Sequence, residues 1–422
     1  MTPVDAVTVP PGPAWLQARR ADSGERLAAA HVPTTEEEVW RYSRIGELDL
    51  AAFRPVEPPA TDDLLDRCRA RADAVVGERA GLLVIVDGHV VHAELDEAVA
   101  AMGVVLAAAA ETAVGEQILG SVVTAPVDYF GALNDAHAPG PSVLDLPRGV
   151  VVDRPIVVVQ HTATDGALSL PRLAVRAGEN SAATVVDLAT SADVAALSVP
   201  VVELDLGASS RLTYTAVQDL GRGIWQIGSQ ASRVAGQAHL VSATAAFGGD
   251  YARLRTDCAL TGRGGTGDLY AVYFGDGTQT LDFRTFQDHV APDTTSNLLF
   301  KGTVGGHARS VYTGLIRVRP DARGTNAFQT NRNIKLSDHA WAESVPNLEI
   351  ENNDVHCSHA SAVGPIDEQQ RFYLESRGVP PFVAERLVVA GFFAEVLERI
   401  PEPMLVAELR RRITDKLERP VE

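Results

Sequence analysis

Residues 207–274 read GASSRLTYTAVQDLGRGIWQIGSQASRVAGQAHLVSATAAFGGDYARLRTDCALTGRGGTGDLYAVYF. Apolar and polar residues alternate over Arg211–Ala216, His239–Thr244 and Leu269–Phe274, the period of a strand with two different faces. A triplet of small or polar residues opens each one: Gly207-Ala208-Ser209, Gly236-Gln237-Ala238 and Gly264-Gly265-Thr266. Outward from this stretch the same punctuation returns at Glu179-Asn180-Ser181 and Asp293-Thr294-Thr295, with further strands at Ile156–Gln160, Val199–Asp205 and Ser310–Val318. The openers recur about every 28 residues for several cycles and then loosen, which suits a solenoid whose coils turn at fixed corners. A β-sandwich is the competing reading. About two hundred residues of strand is long for one sandwich, whereas a solenoid grows by adding coils. The expectation is a β-solenoid over residues 151–360.

The flanks have another texture. Residues 1–150 read as mixed and mostly helical, with a capping box at Thr35 and Glu38 opening a helix over EEEVWRYSRI. Further helices are expected over Asp62–Val76 and Leu95–Leu119, around a hairpin LLVIV-DG-HVVHAEL that turns on Asp87-Gly88. Residues 361–422 are helical again: Asp367 and Glu368 suit a helix start and Gly378 a left-handed stop, and Pro380-Pro381 opens the next helix. Pro401 separates that helix from an amphipathic one, MLVAELRRRITDKL. Helices at both ends are expected to cap the open edges of the solenoid.

Composition narrows the function. Against 37 basic residues stand 55 acidic ones, a net charge of −18, so neither a nucleic-acid nor an anionic-membrane surface is expected. Cys68, Cys258 and Cys357 leave one thiol unpaired in any disulfide scheme, which favours a reducing compartment. The start lacks the basic and apolar regions of a secretory signal, and the most apolar run, 101–110, is about half a membrane span. The expectation is a cytoplasmic protein.

Most motif readings fail on context. Gly262, Gly264 and Gly267 form a GxGxxG, but the alternating DLYAVYFG follows where dinucleotide binding needs a helix. No Gly-Lys pair exists for a phosphate loop, so no nucleotide is expected on this chain. The passage VPNLEIENNDVHCSHASAVGPIDEQQRFYLESRGV, residues 345–379, stands out. In an extended segment Val355, Cys357 and His359 face one way, and His356 and Ser358 the other. A thiol and an imidazole then lie about 7 Å apart along the backbone, ligand types that suit iron, zinc or an iron–sulfur cluster. Two ligands do not complete a site, so further donors must come from elsewhere. The plainer alternative is that Cys357 packs as a small hydrophobe and the histidines are simply hydrogen-bonded.

This passage resembles the C-terminal signature of the SufB/SufD scaffold family of the SUF iron–sulfur assembly system. The likeness rests on Asp354, Val355, Cys357, Ser358 and His359, and then on Ile366, Asp367, Glu368, Phe372, Tyr373, Leu374, Ser376, Arg377 and Gly378. Trp40-Arg41-Tyr42-Ser43 and Phe130-Gly131-Ala132-Leu133-Asn134 resemble two earlier family motifs, and Asn331–Ser337 the approach to the signature. Ala360-Ser361-Ala362 departs from the usual Gly-Ala-Thr, and the cysteine-richer run of the SufB members has no counterpart. The resemblance implies a right-handed parallel β-helix between helical terminal regions. It also implies a non-enzymatic scaffold that pairs with SufB through the β-helix and binds the ATPase SufC through its C-terminal helices. A homodimer without those partners is compatible with it. His359 is then the expected ligand of a transient iron–sulfur cluster shared across the interface, with Cys357 a second candidate.

Two other classes remain open at this point. One is a β-helical polysaccharide hydrolase using Asp276, Asp282 and Asp288 as paired carboxylates, although six-residue intervals do not make a groove. The other is a metal-free interaction module.

Overall fold

The computed structural model describes residues 9–59 and 62–418. From residue 156 onward successive long strands alternate between two sheets, one of ten strands and one of eleven, so the chain winds as a flattened β-helix. Pairing between coils is parallel throughout this run, for example Arg211–Asp219 on His239–Ala246 and Tyr251–Leu260 on Thr280–His289. The solenoid read from the openers is the fold, and no sandwich of antiparallel sheets occurs.

The openers are its corners. Asn180, Ser209, Gln237, Gly264 and Asp293 each adopt a left-handed backbone, with φ of 58°, 58°, 58°, 70° and 59°. The N–H of each donates to a carbonyl of the following coil: Ala208, Gly236, Arg263, Pro292 and Arg323 respectively, at 2.8 to 3.2 Å. Gly264 meets the steric demand without cost, and Asn, Asp, Ser and Gln tolerate it better than branched residues do. Of the three glycines read as a turn, Gly262 and Gly264 lie in it, whereas Gly267 is already in the strand Thr266–Gly275.

Inward-facing residues of both sheets form one continuous core that includes Leu212, Leu240, Leu260, Leu269, Leu281 and Phe283. The two outer faces are covered differently. Helices Asp62–Val76, Pro381–Leu397 and Pro403–Glu418 lie on the ten-stranded sheet, where Val389, Phe393 and Leu409 join Val186, Val217, Val272 and Leu299. Phe393 is fully buried, worth about 1.5–3 kcal/mol. On the eleven-stranded sheet Trp40 sits between Phe130, 5.7 Å away, and the guanidinium of Arg253, 4.1 Å above its ring. The helices therefore cover faces and leave the last coil bare, correcting the expectation that they cap both ends. Their apolar residues fit a broad apolar sheet face, which a narrow edge of backbone polar groups cannot offer.

A buried ion cluster ties the N-terminal segment to the solenoid. Arg172 pairs with Asp135 and Glu203, each at 2.7 Å, and all three are buried. Glu203 also accepts from the backbone N–H groups of Gly120, Val122 and Val123, and Asn134 donates to the carbonyls of Pro171 and Val199. Removing Arg172 alone would leave the buried Glu203 carboxylate without its ion-pair partner, at a cost of up to about 3–5 kcal/mol, while Asp135 would keep Arg19.

The helix Glu368–Ser376 has Asp367 as its cap, accepting from the N–H groups of Gln369 and Gln370, and the chain reverses at Gly378 with φ of 88°. The hairpin Gly81–Val86 and His89–Leu95 turns on Asp87 and Gly88, as expected. It joins the ten-stranded sheet by parallel pairing with Ile156–Thr162. Two expected helices are absent. Residues 95–119 break into a short helix Glu97–Ala101, a strand Val105–Ala108 and a short helix Gly115–Ile118. An Ala/Val-rich run reads alike for helix and buried strand, and Ser142–Leu146 recruits part of it as a sheet partner. Glu38–Trp40 is a single tight turn, because docking Trp40 in the aromatic–arginine slot outweighs local helix propensity.

The corner geometry sets an expected outcome. Gln237→Val should lower stability by about 1–2 kcal/mol and Gln237→Gly should not, because a β-branched side chain resists φ of 58°. Denaturant melts of the two variants check this; equal losses would mean that the side chain, not the backbone, matters at the corner.

Candidate functional site

The signature passage forms the end of the solenoid. Among the described residues, Val355–Pro365 is the last strand of the ten-stranded sheet and pairs only with Thr325–Lys335; Trp341–Ile350 is the last of the eleven-stranded sheet and pairs only with Arg309–Val318. Both present a free edge. Cys357 stands opposite Ala327 and His359 opposite Gln329, two buried, inward-facing residues, whereas His356 and Ser358 stand opposite exposed Asn326 and Phe328. The alternation read from sequence therefore holds, and Cys357 and His359 share the inner face at the open mouth.

Their surroundings differ. Cys357 is half-buried and packs against the Ile316, Val318, Ala322 and Ala327 cluster. Burial pushes its thiol up from the ordinary value, and a backbone hydrogen bond with Ala327 only partly offsets this. Cys258, fully buried deeper in the solenoid, is pushed up to about 11 by burial. His359 is exposed. Beneath it Gln329 is 1% exposed, and neither its amide oxygen nor its nitrogen has a partner among the described residues. Sequence reading missed Gln329, since only the register between coils sets it under His359. No group of three or more His, Cys, Asp and Glu comes together among the described residues, so a complete metal site would need donors from beyond them.

The carboxylates of the hydrolase reading are spent on ion pairs. Asp276 binds Lys416 and Arg222, Asp282 binds Arg253 and the Tyr251 hydroxyl, and Asp288 binds Arg319. Burial pushes the Asp276 carboxyl up, but Lys416 and Arg222 overrule it and hold the group below the usual range, the wrong direction for a general acid.

Residues 159–392 match the family model for the SUF system FeS cluster assembly SufBD core domain. The chain belongs to the SufBD family. It is 35% identical over 305 residues to an iron–sulfur cluster assembly SufBD family protein of Mycobacterium tuberculosis, covering 70% of this chain and 75% of that one. A Mycobacterium leprae member is 32% identical over 302 residues, covering 68% of this chain and 76% of its own length. The iron–sulfur cluster assembly protein SufD of Bacillus subtilis is 27% identical over 419 residues, 95% of this chain and 94% of that one. The SufBD match thus includes the strands on which the open end is built. No helix among the described residues is long and apolar enough to cross a membrane.

Thiol chemistry tests this environment. Burial raises the Cys357 thiol pKa, so alkylation by iodoacetamide should be slower than for a free thiol and should need more alkaline pH to speed up. Cys258 should stay unlabelled until the protein unfolds. Mass-spectrometric labelling kinetics decide the matter; rapid labelling of Cys357 at neutral pH would reveal an activated thiolate instead.

Proposed function

We propose that this chain is a non-enzymatic scaffold subunit of SUF iron–sulfur assembly, working in the cytoplasm, whose open solenoid end pairs with a second chain. The observation that carries the reading is the free edge of Val355–Pro365. It is eleven residues long, holds no Asp, Glu, Lys or Arg, and is free of proline until its last residue. Such an edge invites strand addition, and proteins usually blunt it with charge, proline or a short strand. The neighbouring edge Trp341–Ile350 carries Glu343, Glu349 and Pro346, which leaves Val355–Pro365 as the better pairing strand. By family resemblance the partner is SufB, and a second copy of this chain is the substitute when SufB is absent. The nascent cluster is cargo held between chains, with His359 supplying an imidazole and the partner a thiolate. Gln329, buried and unpartnered below His359, would orient that imidazole through its free amide. The threefold division at residues 150 and 360 follows the same logic of anchor, β-helix and partner-binding helices.

The ATPase surface is placed on the C-terminal helices. Phe372, Tyr373, Phe382 and Leu387 are 71%, 57%, 52% and 50% exposed, and Tyr373 and Leu387 line a cavity of about 1020 Å³. An apolar patch of this kind marks a protein contact, and SufC is the partner the resemblance implies. Phe393 belongs to the core, and Phe392 is partly buried beside it.

Two measurements test the proposal. In the co-purified three-subunit complex, His359→Ala should lose most iron and sulfide while SufB binding persists, and outward-facing His356→Ala should retain both. Cys357→Ser separates its two roles, staying at wild-type loading for a packing residue and dropping part-way for a ligand. Full loading of the His359→Ala complex would remove the ligand assignment. Separately, Phe382→Asp with Leu387→Asp should abolish capture of the ATPase without lowering the melting temperature; undiminished capture would move that surface elsewhere.

A further inference from the structure

On the outer face of the eleven-stranded sheet lies a cleft of about 490 Å³, roofed by Arg41 and Tyr42 and floored by Arg255, Arg284, Thr313 and Asn347. Its floor is built by register. Arg255 pairs with Arg284 and Arg284 with Thr313 across three adjacent parallel strands, so two guanidinium groups leave neighbouring strands about 4.8 Å apart. Like charges placed directly opposite are destabilising, and a protein of net charge −18 has ample carboxylates to separate them. The nearby carboxylates are already committed: Asp257 to Arg255, and Asp282 to Arg253 and the Tyr251 hydroxyl. Arg284 is only partly exposed, yet among the described residues its side chain has neither an ion pair nor a hydrogen bond. Arg41 is likewise unpaired among the described residues, and Glu38 is the one carboxylate on the lining. Burial, followed by Arg253 and Arg255, pushes the Arg284 pKa down, and the carboxylates of Asp282 and Asp257 offset this only in part.

We propose that this cleft binds a small, multiply charged oxyanion, phosphate-like or polycarboxylate, gripped by Arg41, Arg255 and Arg284. The forked donors of arginine match both chemistries, and a cleft of this volume takes a small molecule rather than a protein segment. The Thr313 hydroxyl adds a neutral donor at the floor and Tyr42 another at the rim. The site is separate from the inner face that carries His359: Arg255 and Arg284 point outward from strands Tyr251–Leu260 and Thr280–His289, whereas His359 sits on the inner face of the other sheet.

Calorimetric titration of the full chain at low salt with pyrophosphate, and in parallel with citrate, tests the site. One equivalent should bind and should raise the melting temperature. Arg284→Gln and Arg41→Gln should each weaken binding by at least about tenfold. Arg284→Gln should leave the anion-free melting temperature unchanged or higher, because it removes a repelled charge. Arg284→Lys should recover part of the affinity, and Arg148→Gln, on an exposed arginine paired with Glu179, should change nothing. Tighter pyrophosphate binding identifies the phosphate source and tighter citrate binding the carboxylate source. Absence of saturable binding by both, binding abolished equally by added sodium chloride in wild type and variants, or full affinity in Arg41→Gln and Arg284→Gln would each overturn the assignment.

Discussion

The left-handed corner is the constraint on which this molecule depends. Each coil must turn where its neighbour turns, or the strands above lose their parallel partners. The chain meets the demand with a residue at positive φ whose N–H bonds to the next coil, repeated from Asn180 to Asp293 and again at Gly324, which donates to Asp354. With the corners aligned, the inter-coil ladders among the described residues run without slippage, and the one register shift there falls in the hairpin at Val84 and Ile85. Aligned ladders give broad sheet faces, and broad faces give helices somewhere to lie. Register also stacks identical side-chain directions coil over coil. That is how a core column of leucines and phenylalanines arises, and equally how two arginines come to stand side by side.

What could be read from sequence follows the same physics. Corner residues are legible because few residue types tolerate a left-handed backbone, so Gly, Asn, Asp and Ser at a steady spacing announce turns before any pairing is known. The C-terminal helices were legible through their caps: Asp367 at the start, Gly378 at the stop, and Pro381 at the first turn of the next. Residues 95–119 were not, because their fate depends on Ser142–Leu146 offering a strand edge. Nor was Glu38–Trp40, whose turn answers to Arg253, far away in the chain.

The open end shows the same boundary between local and non-local information. Alternation alone assigns Cys357 and His359 to one face, since it needs only the two-residue period of a strand. The isolation of Gln329 beneath His359, and the meeting of Arg255 with Arg284, require the register between coils. No spacing rule within one strand reveals them. The earlier motifs also look different in three dimensions. Trp40 is a packing residue held by Arg253, and Asn134 with Asp135 pins the N-terminal segment to Arg172 and its strand. Both motifs thus contribute residues that hold the fold together.

The two ends of the solenoid make the last step. At the start, the sheets finish in short antiparallel additions: His89–Leu95, paired through a shifted ladder, and the four-residue strand Val105–Ala108. Short, irregular edges of that kind discourage further pairing. At the other end, two strands of ten and eleven residues stop without such a terminator, although three helices follow within the same chain. The last two of those helices fold back over the sheet face and bury Val389, Phe393 and Leu409 there. A chain that covers a face and leaves its longest edge bare has the geometry that the proposed pairing with another chain requires. The free imidazole of the signature passage lies on that bare strand, so whatever pairs with the edge also approaches His359.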